Sequence, residues 1–257
     1  MKKVLSIAGS DSSAGAGIQA DLKTITAIGG YAATVITAVT AQNTQGVSGI
    51  HVVPAEVVRQ QIDAVMSDLE PDAIKIGMLP DVATVQVVID ALSSYEQRPV
   101  VLDPVMISTS GTRLMSSDAV DLCVSRLMPL CTLITPNLPE AEQLTGMKIS
   151  SVDDMETAAR LLHQRLRCSV VVKGGHLNGN EPWDVLYHEH HTSRHLSPAV
   201  VSRNTHGTGC TFSSAIATYI ALGCTVEEAV SRAKHFVYNA ILSAKDRQIG
   251  HGHGPIV

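Results

Sequence analysis

Two patterns alternate along the chain. Short unbroken apolar runs rich in Val and Ile recur at 4–8, 33–40, Ala73–Ile76, Val100–Leu102, 132–135 and 169–172, and the stretches between them carry apolar residues at three- and four-residue steps. Unbroken runs predict strands buried on both faces, as in a parallel sheet, and the stepped positions predict helices that cover it. The clearest helix begins beyond Pro54, where Val58, Ile62, Val65, Met66 and Leu69 share one face and Pro suits the first turn. Further helices are predicted at 18–28, 81–94, 116–128 and 151–167. The last is opened by a capping box, Ser151-x-x-Asp154, ahead of Met155, Ala158, Ala159, Leu162 and Leu166. Trp183–His188 and His191–Leu196 depart from the alternation and read as an antiparallel pair at the sheet edge. Two helices close the chain, near 207–222 and 226–245, with Gly223 as the break and Thr225-x-x-Glu228 as a second capping box. No repeat, low-complexity tract or linker composition interrupts this order. The expectation is one α/β domain over 1–257, a three-layer α/β/α arrangement around a mostly parallel sheet with a small antiparallel edge hairpin.

Composition narrows the classes. Of 257 residues, 45% are hydrophobic and 17% charged, and no apolar run approaches the roughly 20 residues that span a bilayer. The 19 basic against 24 acidic residues occur in no long block of either sign, so neither nucleic acid nor a membrane surface is an expected partner. Aromatic residues are 3%, which leaves aliphatic side chains to line any pocket. Five cysteines, at 123, 131, 168, 210 and 224, form no CxxC or zinc-type spacing, and they predict reduced thiols in the cytoplasm. The apolar run after Met1-Lys2-Lys3 reaches Gly9 too soon for a signal-peptide core. His188-x-His190-His191 and His251-Gly252-His253 carry no metal reading, because alternate residues of a hairpin point to opposite faces and no partner ligand is placed nearby.

Chemistry concentrates where predicted strands end. Gly9-Ser10-Asp11-Ser12-Ser13-Ala14-Gly15-Ala16-Gly17 joins a strand to a helix, either as a structural turn of small residues or as a place where a ligand meets backbone. Its Gly15-x-Gly17-x-x-Ala20 is a poor dinucleotide fingerprint, since no acid lies between Asp21 and Glu56 to hold a ribose, and the chain contains no GxxxxGK[ST]. Asn204-Thr205-His206-Gly207-Thr208-Gly209-Cys210-Thr211 precedes a helix, where glycines expose successive N–H groups beside the positive helix end. The same field favours a thiolate at Cys210; the alternative is a tight turn followed by a small buried residue. Asp103 closes an apolar strand and, with Asn137 and Glu140, offers hard oxygen ligands suited to Mg²⁺. Asn137-x-x-Glu140 is equally a helix-capping box. Lys173 ends the 169–172 strand, where an ammonium can meet a nucleotide phosphate or simply reach solvent. Asp21 in the first helix and Gln42 beyond the second strand have ordinary roles in charging a helix start and capping a loop.

In combination these stretches resemble the ribokinase-like superfamily and, more closely, the hydroxymethylpyrimidine/phosphomethylpyrimidine kinases of thiamine biosynthesis. The resemblance runs nearly end to end. It is carried by Ile7-Ala8-Gly9-Ser10-Asp11-Ser12, the segment from Gly15 to Thr24, Thr37-Ala38-Val39-Thr40-Ala41-Gln42-Asn43-Thr44, Lys75-Ile76-Gly77-Met78-Leu79, Thr135-Pro136-Asn137-Leu138-Pro139-Glu140-Ala141-Glu142, Lys173-Gly174-Gly175-His176 and the stretch from Asn204 to Thr211. It implies transfer of the ATP γ-phosphoryl group to 4-amino-5-hydroxymethyl-2-methylpyrimidine, then to the resulting monophosphate, in a cytoplasmic homodimer. On matching positions, Gln42 would hold the aminopyrimidine edge with Asp21 nearby, and Gly9, Met78 and Val105 would line the ring pocket. Asp103 and Glu140 would organise Mg²⁺, Asn137 and Lys173 would contact the triphosphate, and Thr205, Gly207, Thr208, Gly209 and Cys210 would form the anion hole. Lys234 in the last helix is a further phosphate candidate. Where the sugar kinases of the superfamily usually place an aspartate base this chain has Cys210, which is therefore the expected base for the first transfer. Related pyridoxal/pyridoxine kinases share the GTGC-type hole and are the alternative; a catalytically silent vitamin- or nucleotide-binding protein is a third.

Overall fold

The Val- and Ile-rich runs lie side by side in one nine-stranded sheet of a computed structural model that describes residues 1–107, 111–175, 177 and 181–256. In chain order the strands are β1 (Lys3–Asp11), β2 (Tyr31–Asn43), β3 (Gly46–Val52), β4 (Ala73–Ile76), β5 (Val100–Leu102), β6 (Leu133–Ile134), β7 (Ser169–Lys173), β8 (Trp183–His188) and β9 (His191–Leu196). Their order across the sheet is β3-β2-β1-β4-β5-β6-β7-β8-β9. Neighbours from β2 through β7 are parallel, and β3, β8 and β9 are antiparallel additions.

Successive strand residues face opposite sides, so the sheet needs cover on both. Helices α1 (Gly17–Ile28), α7 (Thr208–Ala221) and α8 (Val226–Ala244) bury Ile25, Phe212, Ile216 and Val230 against Val4, Val101, Leu133 and Val171. On the other side α2 (Ala55–Asp68), α3 (Val82–Ser94), α4 (Ser117–Leu122), α5 (Leu138–Thr145) and α6 (Val152–Leu166) set Val58, Ile62, Val88 and Leu162 against Leu5, Ile7, Ile76 and Leu102. This is the expected three-layer arrangement, with the expected hairpin at one edge. Both capping boxes are formed, Ser151 with Asp154 and Thr225 with Glu228.

Three features differ from the sequence expectation. The opposite edge carries β3, whose Gly, Ser and His residues leave no apolar run and whose side chains are mostly exposed or half-buried. The segment expected as one helix over 116–128 is α-helical only to Leu122. It widens into a π-type turn at Cys123–Leu127 and a 3₁₀ turn at Met128–Leu130, where Pro129 cannot donate to a continuing helix. Finally, the capping box read at Asn137–Glu140 is formed, and it opens a helix, α5, for which no extent was expected.

Within β4, one of the most apolar runs, Lys75 is fully buried beside an equally buried Asp21 from α1. Its ammonium lies 2.9 and 2.8 Å from the two Asp21 oxygens, which also accept from Ser214 Oγ of α7 (2.6 Å) and Ser6 Oγ of β1 (2.5 Å). Burial alone would push the lysine pKa down, and the Asp21 carboxylate more than reverses this and holds it above the ordinary value. Removing one partner of such a pair strands the other charge, so Lys75→Met is expected to cost about 3–5 kcal/mol in urea unfolding. The double variant Lys75→Met/Asp21→Asn should cost clearly less than the sum of the two single changes; strict additivity would show that the pair is not coupled.

Candidate active site

The direction of chain progression reverses at β1, which has β2 on one side and β4 on the other, and open α/β sheets bind ligands outside the carboxyl ends of strands at such a reversal. A cavity of about 590 Å³ opens there. Its apolar wall brings together Gly9, Met78 and Val105. Gly9 lies where the β1–β2 register slips, between Ala8 and Ser10, and a Cβ on it would stand 3.0 Å from Met78 Sδ. Gln42 also lines the cavity and sits at a second slip, between β2 and β3. Irregularities of this kind re-aim side chains at sheet ends.

The polar wall comes from the ends of β5, β6 and β7. Asp103 is buried and accepts from Thr135 Oγ1 (3.0 Å) and Lys173 Nζ (2.6 Å) through the same oxygen, Oδ1. Glu140 is buried at the first turn of α5, where its Oε2 accepts from the Asn137 N–H (2.8 Å) and Asn137 Oδ1 accepts from the Glu140 N–H (2.9 Å). Capping and cavity lining thus coexist in both residues. Burial raises the Glu140 pKa to about 7, with Asp103 adding to the rise and Lys173 opposing it. Lys173 itself is held above its ordinary value because Asp103 and Glu140 outweigh its desolvation. Two acids therefore share one ammonium, an arrangement with room for a further cation. Mg²⁺ is commonly held by one or two carboxylates plus phosphate oxygens and waters rather than by a protein cage, and Asp103 and Glu140 fit that donor set. Among the described residues no group of three or more His, Cys, Asp or Glu gathers as a metal cage, and the sequence motif ending at His176 extends outside them.

Facing these groups is the opening of α7. Gly207, its N-cap residue, has φ +81°, and no side chain caps the helix; the Thr208 N–H donates to the Thr205 carbonyl (3.3 Å), which leaves those of Gly209 and Cys210 to face an anion. A Cβ on Gly207 would overlap the Gly15 carbonyl oxygen, so this loop and the loop after β1 interlock through two glycines. A Cβ on Gly209 would stand 3.2 Å from Asp103 Oδ2 and 3.3 Å from Lys173 Nζ. The helix opening thus meets the acid–lysine pair directly. Thr208 Oγ1 donates to the Thr205 carbonyl (2.7 Å), and both residues line the cavity.

Three of the expected site residues meet partners distant in sequence. Asp21 does not line the cavity; it lies behind Lys75, its oxygens occupied by Lys75, Ser6 and Ser214. Lys234 lines the cavity and donates to Asp184 Oδ2 (2.7 Å) and the Pro182 carbonyl (2.6 Å), which anchors the start of β8 to α8 and leaves one of its three N–H groups for another acceptor. Cys210 does stand at the helix opening, yet burial pushes its thiol up to about 11; Lys75 opposes the rise, and Asp21 and Asp103 add to it. Enclosure of the helix end together with two acids thus works against the thiolate that the helix field favours. Sequence reasoning also missed Lys75, which lines the cavity floor, and the pairing of Asp11 with His206. A lysine inside an apolar run was the available signal for the first.

The sequence profile described as Phosphomethylpyrimidine kinase matches residues 11–257. The chain belongs to the phosphomethylpyrimidine kinase family. Such family members are phosphotransferases, and this chain is one. It is 47% identical over 253 residues to a hydroxymethylpyrimidine/phosphomethylpyrimidine kinase of Rhizobium meliloti, covering 98% of this chain and 95% of that protein. It is 50% identical to a thiamine biosynthesis bifunctional protein of Geobacter sulfurreducens, again over 98% of this chain, but spans only 51% of that longer protein. Among solved structures, a phosphomethylpyrimidine kinase from Clostridium difficile is 43% identical with TM-score 0.83, covering 94% of this chain and all of that one. A pyridoxal kinase from Staphylococcus aureus in complex with AMP-PCP and pyridoxal is 33% identical with TM-score 0.90, covering 100% of this chain and 93% of that one.

Two outcomes follow from the site geometry. Gly209→Ala inserts a methyl between the helix opening and the Asp103–Lys173 pair, and it is expected to reduce kcat/KM about 100-fold, the scale of losing one oxyanion donor, while the unfolding midpoint changes little. A protonated thiol reacts slowly with alkylating agents. In a Cys224→Ser background, labelling of Cys210 by iodoacetamide should still be rising above pH 10, whereas a plateau near pH 8–9 would show an ordinary or activated thiol.

Proposed function

We propose that the chain transfers the γ-phosphoryl group of ATP to the hydroxymethyl oxygen of 4-amino-5-hydroxymethyl-2-methylpyrimidine, and then a second one to the phosphate of the product, a reading supported by relatives named for hydroxymethylpyrimidine/phosphomethylpyrimidine kinase and for thiamine biosynthesis. In each transfer the acceptor oxygen bonds to the γ-phosphorus and the bond to ADP breaks. The observation that carries this reading is the uncapped start of α7 opposite Asp103, Glu140 and Lys173, across the same cavity as the Gly9–Met78–Val105 wall and Gln42.

Phosphoryl transfer depends mainly on positioning and charge stabilisation, and each group has a place in it. Amides of Gly209 and Cys210 face the travelling phosphoryl oxygens, Lys173 and Asn137 meet the triphosphate, and the apolar wall with Gln42 holds the heterocycle so that its alcohol faces the γ-phosphate. Asp103 and Glu140 would hold Mg²⁺, which when bound offsets phosphate charge. Burial raises the Cys210 thiol pKa, so in this reading the alcohol proton leaves with the transferred phosphoryl group and Cys210 lines the wall at the helix opening. The reading further includes a cytoplasmic homodimer without nucleic-acid partners; no helix among the described residues is long and apolar enough to cross a membrane.

The pyridoxal kinase reading is favoured by one observation, the high similarity to the Staphylococcus aureus enzyme in complex with pyridoxal. A two-step ³¹P assay with ATP, Mg²⁺ and the aminopyrimidine alcohol separates the readings. The monophosphate should appear first and the diphosphate second, with ADP released in each step. Phosphorylation of pyridoxal or pyridoxine alone would favour the pyridoxal kinase, and binding without ADP release would favour a silent binder.

A further inference from the structure

The amide of Gln42 lies between two groups that both dictate which way it faces. On one side is Thr40 Oγ1, 2.9 Å from the Ser10 carbonyl oxygen and 3.0 Å from the amide. A carbonyl can only accept, so the single hydroxyl hydrogen of Thr40 goes to Ser10, and the amide meets a lone pair. That end should be the NH₂ group. On the other side is His206 Nε2, 3.3 Å from the amide and 2.8 Å from Asp11 Oδ2.

Asp11 acts only as an acceptor. Its Oδ1 receives the Ser13 N–H (2.8 Å) and hydroxyl (2.7 Å), and Oδ2 receives the N–H groups of Gly15 (3.2 Å) and Ala16 (2.9 Å). Although burial works against ionisation, these donors and His206 hold its pKa down at about 2, so His206 Nε2 carries a hydrogen whether the ring is neutral or charged. An amide NH₂ opposite that N–H would set donor against donor. The structure sets Oε1 toward Thr40 and Nε2 toward His206; exchanging the two amide atoms places NH₂ toward the Thr40 lone pair and oxygen toward His206, where it shares the single Nε2–H that Asp11 Oδ2 accepts at 2.8 Å.

The parts around the amide are fixed. The Gln42 backbone exchanges two hydrogen bonds with Ser12 Oγ (2.7 and 2.8 Å). The ring of His206 lies against Gly15, where a Cβ would overlap it. The main chain of His206 is tied to the C-terminal segment, its N–H donating to the Gly254 carbonyl (3.0 Å). Asp11 and His206 are 3% and 8% exposed, so water competes little for these bonds.

We propose that Asp11 and His206 are positioning residues that lock the Gln42 amide with oxygen toward His206 and nitrogen toward Thr40. The cavity then presents an acceptor and a donor in one fixed order, which selects heterocycles carrying an exocyclic amino group beside an unprotonated ring nitrogen. The proposal rests on the kinase reading for its substrate class and on the hydrogen-bond network for the lock.

A substrate-based double-mutant cycle tests it. His206→Phe keeps a ring without the donor and is expected to raise KM for the aminopyrimidine alcohol about tenfold, with the loss greater in KM than in kcat. The same change in a Gln42→Ala background should add less than twofold, because its target is gone. His206→Gln, whose amide nitrogen reaches the Nε2 position, should recover most of the affinity. Full, multiplicative losses in the cycle would overturn the proposal. Should the Phe variant not fold, ¹⁵N NMR of the wild-type imidazole decides: a protonated Nε2 supports the lock, and an unprotonated Nε2 overturns it. A wild-type enzyme inactive on the aminopyrimidine alcohol would sink the functional reading instead, and the tautomer would still decide the lock.

Discussion

A full positive charge lies in the middle of an apolar strand, and the architecture of the cavity depends on how it is held. Lys75 and Asp21, with the hydroxyls of Ser6 and Ser214, tie β4, α1, β1 and α7 together at one buried point. Buried pairs of this kind contribute little to stability compared with well-packed hydrocarbon of the same volume. Their strength is geometric, because leaving either charge alone is costly and few arrangements satisfy all the donors. The start of α7 is thereby fixed above the carboxyl ends of the central strands. Lys75 also forms part of the cavity floor, bearing on Cys210 and Asp103.

With α7 anchored, the two glycine-rich loops complete the site by mutual exclusion of side chains. Gly15 and Gly207 meet backbone to backbone, and Gly209 brings the helix opening against Asp103 and Lys173. Asn204 closes the other side, donating to the Ala244 and Arg247 carbonyls at the end of α8 (2.5 and 2.8 Å). A helix end in this position, lacking any side-chain cap, would be an unsatisfied set of donors unless an anion or water met it. The acids opposite it prevent the site from being simply cationic. Phosphate and a divalent cation are complementary to such a surface together, and neither alone matches it as well.

Much of this was legible in the sequence, for physical reasons that also explain the exceptions. The parallel strands were visible because burial on both faces demands continuous Val and Ile, and α6 and α8 because their capping boxes form locally. Strand β3 was not visible, since an exposed edge needs no apolar pattern. The turn from Cys123 to Leu130 kept helical spacing while changing its pitch. Among site residues, Gly9, Met78, Val105, Asp103, Glu140, Lys173 and the loop from Thr205 to Cys210 converge on one cavity. The surroundings of Asp21, Lys234 and Cys210 were not legible, because each depends on a partner distant in sequence. Asp21 needs Lys75, 54 residues away, Lys234 needs Asp184, 50 residues away, and the thiol responds to enclosure that no local motif encodes.

The same long-range character bears on selectivity. An apolar wall such as Gly9–Met78–Val105 distinguishes rings differing by a methyl or a ring nitrogen by only about 1–3 kcal/mol, whereas a buried polar group left unpaired by the wrong ligand discriminates far more strongly. Relatives named for pyrimidine and for pyridoxal share this fold at TM-scores of 0.83 and 0.90, so the backbone frame itself does not choose between them. The choice must reside in the few polar groups of the wall and in whatever fixes their direction. An amide free to turn would accommodate either order of donor and acceptor and so would select weakly. Gln42 gains a definite direction only through Thr40 and the Asp11–His206 pair, residues drawn from both ends of the chain. On the proposed reading of Gln42, substrate choice is tied to the closure of the fold, in which the C-terminal segment holds His206 against the loop that follows β1.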